Sequence, residues 1–397
     1  MVLSWFASKL SPIAVDIGTE TIKLLQVEPR EGQFRLVAAA CESIPEEARA
    51  KPADREAFVS DALRKMLNEG FRGKQIVTCL PANAVALQHL RIAKMSDADL
   101  AKALPFEAAG KLPFDANRAV IRHTVAGEVF QNQEAKQEVI VMAAPRDAVE
   151  RHLNLLSKQK LEVVGIHVEP NALIECFNHL FRRKGDENIC TMFIDMGAGA
   201  THVVIAHGKN IVFAKHIPIG GDALNKQVAD FFKVSLTQAG DMRIRASKQQ
   251  QAQAVRMPQG VVGITSGSGA HPLGRNGGLA TAQAGIDTET AVKVADAIND
   301  SIDTLMTELQ LCQRYYESIF PGKFVDRAIF VGGESRHITT CQKISQRLNL
   351  PASLGDPLAR LMKDGTTQTK VDLRQPQPGW AIAVGLSMGL AQSGPET

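Results

Sequence analysis

Two segments of the sequence carry the same order of residues that could bind phosphate: an apolar run, an aspartate, a glycine, small residues and a second apolar run. Residues 14–25, which contain Asp16, are matched by residues 193–204, which contain Asp195. One copy lies in each half of the chain. We therefore predict two equivalent strand–turn–strand hairpins, each with its aspartate at the end of the first strand.

The composition of these hairpins suits a nucleoside triphosphate. Small residues at a tight turn let backbone N–H groups come close to phosphate oxygens, and clusters of such amides bind anions. An aspartate at a strand end can hold Mg²⁺, usually through water, beside those phosphates. One such turn is often only a hairpin. Two in register predict a triphosphate clamped between them, with Mg²⁺ near Asp16 and Asp195.

A third glycine-rich turn follows later in the chain. Residues 328–335 form an apolar strand that runs into Gly332 and Gly333 ahead of a predicted helix. Glycine at this place would allow a flat adenine and its ribose to lie against the backbone. An ordinary strand-to-helix turn is the alternative, but the two earlier hairpins favour a nucleoside site.

The totals exclude several classes of protein. The 397 residues are long for one compact domain and favour two lobes. A net charge of +3 is too small to predict nucleic acid or an anionic membrane as the main partner. The six cysteines, scattered and without a CxxC pair, favour a reducing compartment over disulfides or a thiolate metal site. Without a signal-peptide pattern or an apolar run of about 18 residues, we expect a cytoplasmic protein with no transmembrane segment.

Periodicity places these motifs on alternating strands and helices. Antiparallel strands are predicted between residues 13 and 40, then a helix over 54–69 and a strand over 76–80. Capping boxes begin helices after Ser96 and Ser235. The other predicted strands cover 85–92, 138–144, 163–169, 191–205 (strand–turn–strand), 210–217 and 325–331, and the other helices cover 171–183, 222–232, 294–316, 339–348 and 380–390.

Several features are predicted to be structural rather than functional. Residues 247–285 begin Gln-rich and become rich in Gly and Ser, which is typical of a mobile insertion without chemistry. His167 and His202 lie in strand-like runs, where a structural histidine is a simpler interpretation than a metal ligand. Tyr315 and Tyr316 are interpreted as core packing.

The hairpins and the late glycine turn resemble those of the actin and sugar-kinase superfamily. Within it, further segments resemble the PilM family of type IV pilus assembly proteins and its relative FtsA: residues 90–96, 111–114, 143–146, 168–173, 217–222 and 383–386. The resemblance covers nearly the whole chain except the tail residues and 247–285. It implies an α/β protein with the actin-like, ribonuclease H-like duplicated, two-lobed fold and a small α+β subdomain inserted in the first lobe.

The resemblance also implies a division of the chain and a set of ATP contacts. The expected parts are the first actin-like lobe (1–83), the inserted subdomain (84–169), a connecting helix (170–190), the second lobe (191–378, with a flexible insertion at 247–285) and a C-terminal helix and tail (379–397). The expected contacts are Asp16, Gly18, Thr19, Glu20 and Lys23 in the first hairpin, Asp195, Gly197, Ala198, Gly199 and Thr201 in the second, Gly220, Gly221 and Asp222 near the interlobe cleft, and Gly332, Gly333 and Glu334 at the nucleoside.

The implied function is that of a cytoplasmic, ATP-binding scaffold in the inner-membrane assembly platform of type IV pili or a related secretion system. A groove between the inserted subdomain and the first lobe is expected to take the cytoplasmic N-terminal segment of a PilN-like membrane protein, which would hold the chain at the membrane. We expect slow ATP turnover at most, because no side chain stands out as a base that activates water. Self-association is left open, and the alternatives are a small-molecule kinase of the same superfamily or an FtsA-like division protein.

The sequence departs from the family pattern at three places. Glu20 puts a carboxylate at the first hairpin tip, where it opposes phosphate binding unless Lys23 or a cation compensates. Ala198 and Ala200 stand in the second hairpin, where hydroxyl residues are common. Pro105 is expected to interrupt the first helix of the inserted subdomain. The first two departures predict weakened nucleotide binding.

Overall fold

The computed structural model describes residues 10–131, 134–254, 270–272 and 286–392. Within these residues the chain forms two six-stranded sheets, one three-stranded sheet and ten α-helices. The strands are β1 (Ile13–Ile17), β2 (Thr21–Arg30), β3 (Gln33–Ser43), β4 (Gln75–Cys79), β5 (Ala86–Ala93), β6 (Ala119–Gln131), β7 (Glu134–Pro145), β8 (Glu162–His167), β9 (Cys190–Met196), β10 (Thr201–His207), β11 (Asn210–Ile217), β12 (Ala270–Pro272), β13 (Arg327–Val331), β14 (Ala352–Gly355) and β15 (Gln368–Thr369). The α-helices are α1 (Glu46–Arg49), α2 (Pro52–Met66), α3 (Asp97–Glu107), α4 (Arg146–Ser157), α5 (Glu169–Phe177), α6 (Gly221–Phe232), α7 (Leu236–Ala254), α8 (Thr288–Ile319), α9 (Ile338–Leu348) and α10 (Ala381–Gln392).

The two six-stranded sheets repeat one topology. In the first, β1, β2 and β3 form an antiparallel meander, β4 is parallel to β1, and β8 is parallel to β4. In the second, β9, β10 and β11 form the meander, β13 is parallel to β9, and β14 is parallel to β13. The strand orders are β15-β3-β2-β1-β4-β8 and β11-β10-β9-β13-β14-β12. We call the parts built on these sheets the first and second lobes, and the repeated sequence motif lies at the same point of each.

Two helices, α5 and α10, join the lobes by packing against each other and against the sheets. Ala172 of α5 and Val384 of α10 belong to one buried apolar cluster. The same cluster contains Ala14 of the first sheet and Phe193 of the second. A Cβ atom on Gly385 would collide with the Ala172 carbonyl, so glycine is what allows the two helices to lie this close. None of the described helices is both long and apolar enough to cross a bilayer.

The three-stranded sheet, of order β5-β7-β6, and helix α3 form a separate small unit that we call the insert. Its chain leaves the first lobe after β4 and returns to it at α4. Leu100 and Leu104 of α3 pack with Val141 of β7 in the insert's own core. The predicted start of α3 is confirmed, because the Ser96 hydroxyl accepts a hydrogen bond from the Asp99 amide.

Two predictions about helix continuity are wrong. Pro105 does not interrupt α3, which runs on to Glu107; the proline stands in the last turn, where only one internal hydrogen bond is lost. Residues 247–254, predicted to be part of a mobile insertion, continue α7, because their Gln, Lys and Ala residues favour a helix. Of the remaining predicted insertion, residues 270–272 form β12 beside β14, and the rest lies outside the described residues.

The strand predicted over residues 163–169 as part of the inserted subdomain also differs from the structure. β8 ends at His167 and pairs with β4 at the edge of the first sheet, not with the strands of the insert. Glu169 instead begins α5, since Pro170 suits a first helical turn, in which no amide donor is required. The side chain of Glu169 is thereby placed at the base of the cleft between the lobes.

Candidate functional site

Both predicted hairpins close with the same hydrogen bond. The Gly18 amide donates to the Thr21 carbonyl over 2.9 Å, and the Gly197 amide donates to the Ala200 carbonyl over 2.9 Å. A Cβ atom on either glycine would lie only 3.2 or 3.1 Å from that carbonyl oxygen. The repeated glycine is therefore explained by the turn itself, whatever the hairpins bind.

The tips of both hairpins present unpaired amides. Within the described part of the chain, the backbone N–H groups of Thr19, Glu20, Ala198 and Gly199 donate no hydrogen bond. Neighbouring amides of a tight turn are the donors that phosphate oxygens accept from. The tips therefore fit the anionic part of a nucleotide.

The tips also meet across the cleft between the lobes. A Cβ atom on Gly199 would stand 2.6 Å from the Thr19 hydroxyl oxygen, so the two tips are already in contact. In this arrangement no room remains directly between them for a phosphate. The Thr201 hydroxyl, predicted to be a nucleotide contact, instead donates to the Ile219 carbonyl over 2.7 Å.

The two aspartates predicted to hold Mg²⁺ lie in one electrostatic site. Burial, together with the carboxylates of Glu169 and Asp16, raises the pKa of Asp195 to about 7. Burial also raises the pKa of Asp16, against the effect of Lys23, whose Nζ lies 3.7 Å from Asp16 Oδ2. Carboxylates this close repel each other, and a divalent cation would relieve the repulsion. Among the described residues no three His, Cys, Asp or Glu side chains form a direct metal site, so an ion here would keep water ligands.

A third carboxylate beside these aspartates is one that sequence reasoning missed. Glu169, the first residue of α5, pairs through Oε2 with Nδ1 of His202. Nε2 of His202 lies 3.1 Å from Nδ1 of His216 on the neighbouring strand. Burial opposes a charge on His202, but Glu169 outweighs burial and raises the His202 pKa. The result is an oriented carboxylate next to the phosphate hairpins, which is the kind of group that can take a proton from water.

A signal for this arrangement was present in the sequence. His202 stands directly opposite Asp195 in the β9–β10 ladder and opposite His216 in the β10–β11 ladder. A hairpin prediction with its register would have placed both histidines beside Asp195. The Glu169 carboxylate cannot be added in the same way, because the pattern of residues 163–169 predicts one continuous strand.

The start of α6 supports the second hairpin rather than facing a ligand. The amides of Gly221 and Asp222 donate to the carbonyls of Gly197 and Ala198 over 3.0 and 2.8 Å. A Cβ atom on Gly220 would lie 2.5 Å from the Ala198 carbonyl oxygen, so the glycine is needed for this approach. The predicted residues 220–222 thus lie at the cleft, with the amides of Gly221 and Asp222 already used.

A salt bridge that the sequence did not reveal crosses the cleft. Arg49 of α1 in the first lobe lies with Nη1 2.9 Å from Oδ1 of Asp222 in the second. Glu20 lies in the same region. Burial raises the Glu20 pKa, the Asp222 and Glu334 carboxylates raise it further, and Arg49 and Lys23 oppose this. The mouth of the cleft therefore holds a mixed cluster of charges joining the two lobes.

The predicted nucleoside turn follows β13. Gly332 has a φ of 88°, and a Cβ atom there would collide with the Met196 carbonyl and the Asp195 carboxylate, so only glycine fits. Gly333 has open space where a Cβ would stand. Glu334, however, is held by the buried guanidinium of Arg243 and packs over Gly221. The Glu334 carboxylate therefore already pairs with a side chain of the protein, whereas the family resemblance implied a contact with the nucleoside.

A small cavity lies behind this turn, between α7, α8 and α9. It measures about 30 Å³, and Arg243, Ser247, Ile298, His337 and Lys343 are among its lining residues. That volume holds about one water molecule and is far too small for a purine. Burial lowers the pKa of His337 to about 4, so the ring is neutral at the cavity wall. A nucleobase would require α7 and α9 to move apart.

These features define a class of protein. Two sheets of repeated topology, each with a phosphate-type hairpin facing the other, and a glycine turn against the second aspartate, are the features of an actin-like protein. Among solved structures, the PilM-PilN type IV pilus biogenesis complex is similar, with a TM-score of 0.72 and 19% identity, over 98% of this chain and 99% of that chain. The predicted actin-like fold is confirmed.

The family follows from the sequence comparison. The model of the type IV pilus assembly protein PilM matches residues 14–254, which is more than half of the chain, so the chain belongs to the PilM family. The model of the cell division protein FtsA matches residues 192–385. Two structures are more distant: the ethanolamine utilization protein EutJ of Carboxydothermus hydrogenoformans (TM-score 0.49, 12% identity, 96% of this chain and 89% of that chain) and MreB5 of Spiroplasma citri bound to ADP (TM-score 0.46, 11% identity, 96% and 98%).

Proposed function

We propose that this PilM-family chain binds ATP with Mg²⁺ between its lobes and acts as a scaffold in the assembly of type IV pili or a related secretion system. The observation that carries the proposal is the pair of facing hairpins, whose tip amides donate no hydrogen bond within the described residues and lie beside the buried Asp16 and the partly buried Asp195. A bound polyphosphate would accept hydrogen bonds from these amides, and its cation would offset the charge of the aspartates.

The hairpin tips, Lys23, the two aspartates and the glycine turn have separate roles in this proposal. The tip amides would bind phosphate oxygens, and Lys23 would add positive charge next to them. Asp16 and Asp195 would hold Mg²⁺ through water, and the ion supplies charge that stabilises the phosphates. Gly332 and Gly333, which adjoin Asp195, would leave room for the ribose.

Binding must open the cleft. The contact between Thr19 and Gly199, the salt bridge between Arg49 and Asp222, and the small cavity behind the glycine turn all describe a closed arrangement. The nucleotide therefore has to change the angle between the lobes, and that angle is what a scaffold can display to its partners. Because opening costs part of the binding free energy, we expect moderate rather than tight affinity.

Turnover is proposed to be slow, with Glu169 as the base. Its carboxylate is oriented by His202 and lies beside both aspartates, so it can accept a proton from water near the phosphates. Glu169 lies close to Asp16 and Asp195, so three acidic groups share the site. They repel one another and the negatively charged phosphates, and this repulsion limits the rate of turnover.

The proposed partner is the cytoplasmic N-terminal segment of a PilN-like membrane protein, which would keep this chain at the inner membrane. The similar solved complex is titled as one of PilM with PilN. Apolar side chains are exposed on the two parts of the chain that would form the proposed groove: Phe106 of α3 in the insert is 81% exposed, and Val164 of β8, at the edge of the first lobe's sheet, is 40% exposed. An apolar segment of a partner would cover such residues.

The nucleotide proposal is tested by calorimetric titration with Mg-ATP, with phosphate release followed in the same sample. We expect saturable binding with little release. Asp195→Ala should weaken binding by more than about tenfold, because it removes one of the two carboxylates that would hold the hydrated ion. Asp230→Ala, on the exposed face of α6, is the matched control and should bind as the parent does. Absence of binding by the parent would contradict the proposal.

The partner proposal is tested by fluorescence anisotropy with a labelled peptide that copies the cytoplasmic N-terminal segment of the PilN-like protein encoded beside this chain. Val164→Asp should raise the Kd by about tenfold or more, since a charge would enter the apolar contact. Val292→Asp, at an exposed valine of the second lobe, should leave the Kd unchanged. Equal effects of both variants would exclude the groove.

A further inference from the structure

A completely buried carboxylate lies between the insert and the second lobe. Glu138 of β7 has no exposed surface, and its oxygens accept hydrogen bonds from three side chains. Oε2 accepts from Arg91 Nε over 3.1 Å, and Oε1 accepts from His89 Nδ1 over 3.3 Å. The third donor is the Tyr315 hydroxyl, 3.1 Å from Oε1. His89 and Arg91 belong to the insert, whereas Tyr315 lies on α8 of the second lobe.

The carboxylate is ionised in spite of its burial. Burial by itself would raise the pKa of Glu138, but the hydrogen bonds from His89, Arg91 and Tyr315 outweigh burial and hold the pKa below its usual value. Burial and the adjacent carboxylate raise the pKa of Tyr315 to about 12, so its hydroxyl stays protonated and donates. A buried charge that loses a donor is left under-solvated, and the three donors are therefore held firmly.

His89 makes a second connection across the same boundary. Its ring stacks on Phe213 of β11 with the centroids 4.9 Å apart. Nδ1 donates to Glu138, so the other ring nitrogen, Nε2, is free to bond to Ala214. Whether Nε2 carries a proton determines whether it donates or accepts in that bond. A protonated Nε2 donates to the Ala214 carbonyl over 3.1 Å, and an unprotonated Nε2 accepts from the Ala214 amide over 3.4 Å. Either state of the ring keeps a hydrogen bond to the second lobe.

Apolar packing completes this boundary. β6 has a bulge between Val125 and Gly127, and a Cβ atom on Gly127 would lie 2.8 Å from Cε1 of Phe320. The glycine thus lets Phe320, which follows α8, pack directly on the backbone of the insert. The partly buried Ala126 packs against the apolar cluster between the lobes and against the core of the second lobe. Polar and apolar contacts therefore run along one continuous face of the insert.

The insert is attached to the first lobe in a different way. The chain passes between them only at the ends of β4 and β7, near Pro81 and Pro145. We propose that Glu138, with His89 and Tyr315, clamps the insert to the second lobe, so that the insert follows that lobe when the cleft opens. The groove between the insert and the first lobe would then change with the nucleotide state. This regulation rests on the proposed nucleotide and peptide binding, whereas the clamp itself does not.

The clamp is tested by hydrogen–deuterium exchange of the full chain without ligands. Tyr315→Phe keeps the ring and removes one donor. We expect exchange in residues 86–93 and 210–217 to rise together by about tenfold, while β1 and β4 are unchanged. Glu308→Gln, on the same helix as Tyr315, is the matched control: it removes the charge of the 2.7 Å pair with Lys215 of β11, which lies within the second lobe, and should leave exchange in residues 86–93 unchanged. Unchanged exchange in Tyr315→Phe would overturn the proposal.

The transmission is tested by measuring the Kd of the partner peptide with and without Mg-ATP. In Tyr315→Phe the ratio of the peptide Kd with Mg-ATP to the peptide Kd without it should move toward one. The Kd of Mg-ATP alone and that of the peptide alone should each change by less than about twofold. Raised exchange with an unchanged ratio would overturn the proposed transmission. If the parent protein binds neither Mg-ATP nor peptide, the proposed function fails, and the exchange measurement alone still decides for or against the clamp.

Discussion

Thr19 of the first hairpin lies against Gly199 of the second, with its hydroxyl oxygen 2.6 Å from the place where a Cβ of residue 199 would stand. The position equivalent to Gly199 in the first hairpin is Glu20, which carries a large acidic side chain. The two hairpins are therefore alike in their turns and different at their tips. The small residue on one tip makes room for the hydroxyl of the other, and this contact closes the cleft.

Gly199→Ala is expected to separate the tips. The added methyl group needs the space of the Thr19 hydroxyl, and forced displacement of this kind costs about 1–3 kcal/mol. We expect the Kd for Mg-ATP to fall by a few-fold, because the closed contact that the nucleotide has to break is already disrupted. Urea unfolding and calorimetric titration measure the two effects.

The double variant Thr19→Ala with Gly199→Ala should recover most of the lost stability, since the hydroxyl that meets the methyl group is gone. Gly365→Ala, at a glycine with nothing within 4 Å, is the control for the change of residue type. If the double variant is as impaired as Gly199→Ala alone, the contact between the tips is not the cause.

Arg49→Gln is expected to speed nucleotide exchange. The pair with Asp222 joins the lobes at the mouth of the cleft, so its loss lowers the barrier to opening. For a partly exposed pair we expect a stability change below about 1 kcal/mol, but a several-fold faster release of a fluorescent ATP analogue in stopped flow. Arg151→Gln, which removes an exposed pair within α4, should not change the release rate.

Glu169→Gln is expected to separate binding from turnover. Replacing the carboxylate by an amide removes the base and one negative charge from the site beside Asp16 and Asp195. Phosphate release should fall by about 10²-fold or below detection, while Mg-ATP binds at least as tightly as to the parent. A variant that still releases phosphate at the parent's rate would show that another group activates water.

The hairpins and helix starts could be predicted because their determinants are local. The turn from Gly18 to Thr21 closes with a bond between residues three apart, and Ser235 and Gln238 cap α7 reciprocally at the same separation. The repeat of one motif in both halves then indicated the duplicated fold. The contacts of the predicted ATP residues with nucleotide, and the limits of the domains, stay predictions.

The contacts between distant parts of the chain could not be predicted in this way. Arg49 with Asp222 and Glu138 with Tyr315 join residues that no local pattern pairs, so only the folded arrangement brings them together. The assignment of β8 failed for a related reason. Its apolar residues suit either sheet, and the choice depends on which neighbouring strand has a free edge. Tyr315, interpreted as core packing, proved to be partly exposed with its hydroxyl on Glu138.

His152 is expected to make the first lobe sensitive to acid. It is 6% exposed, and its Nε2 lies 3.0 Å from the Thr78 hydroxyl, which itself donates to the Val15 carbonyl. The hydroxyl proton is therefore used, and Nε2 must donate as a neutral ring. Burial, with a smaller contribution from Arg55, lowers the pKa of His152 to about 4. The unfolded chain, with an ordinary histidine, takes up the proton at a higher pH than the folded chain.

Stability should consequently fall as the pH drops through the interval between the ordinary histidine pKa and about 4. At about pH 5 this one group accounts for a loss of roughly 2 kcal/mol relative to about pH 8. His152→Gln keeps a donor for Thr78 but cannot titrate, so its free energy of unfolding should fall less over the same range. Urea unfolding of both proteins at several pH values gives the slope of the free energy of unfolding against pH for each. The contributions of all other titrating groups cancel in the difference between the two slopes. Parallel slopes would mean that His152 is hydrated, or free to ionise, in the folded protein.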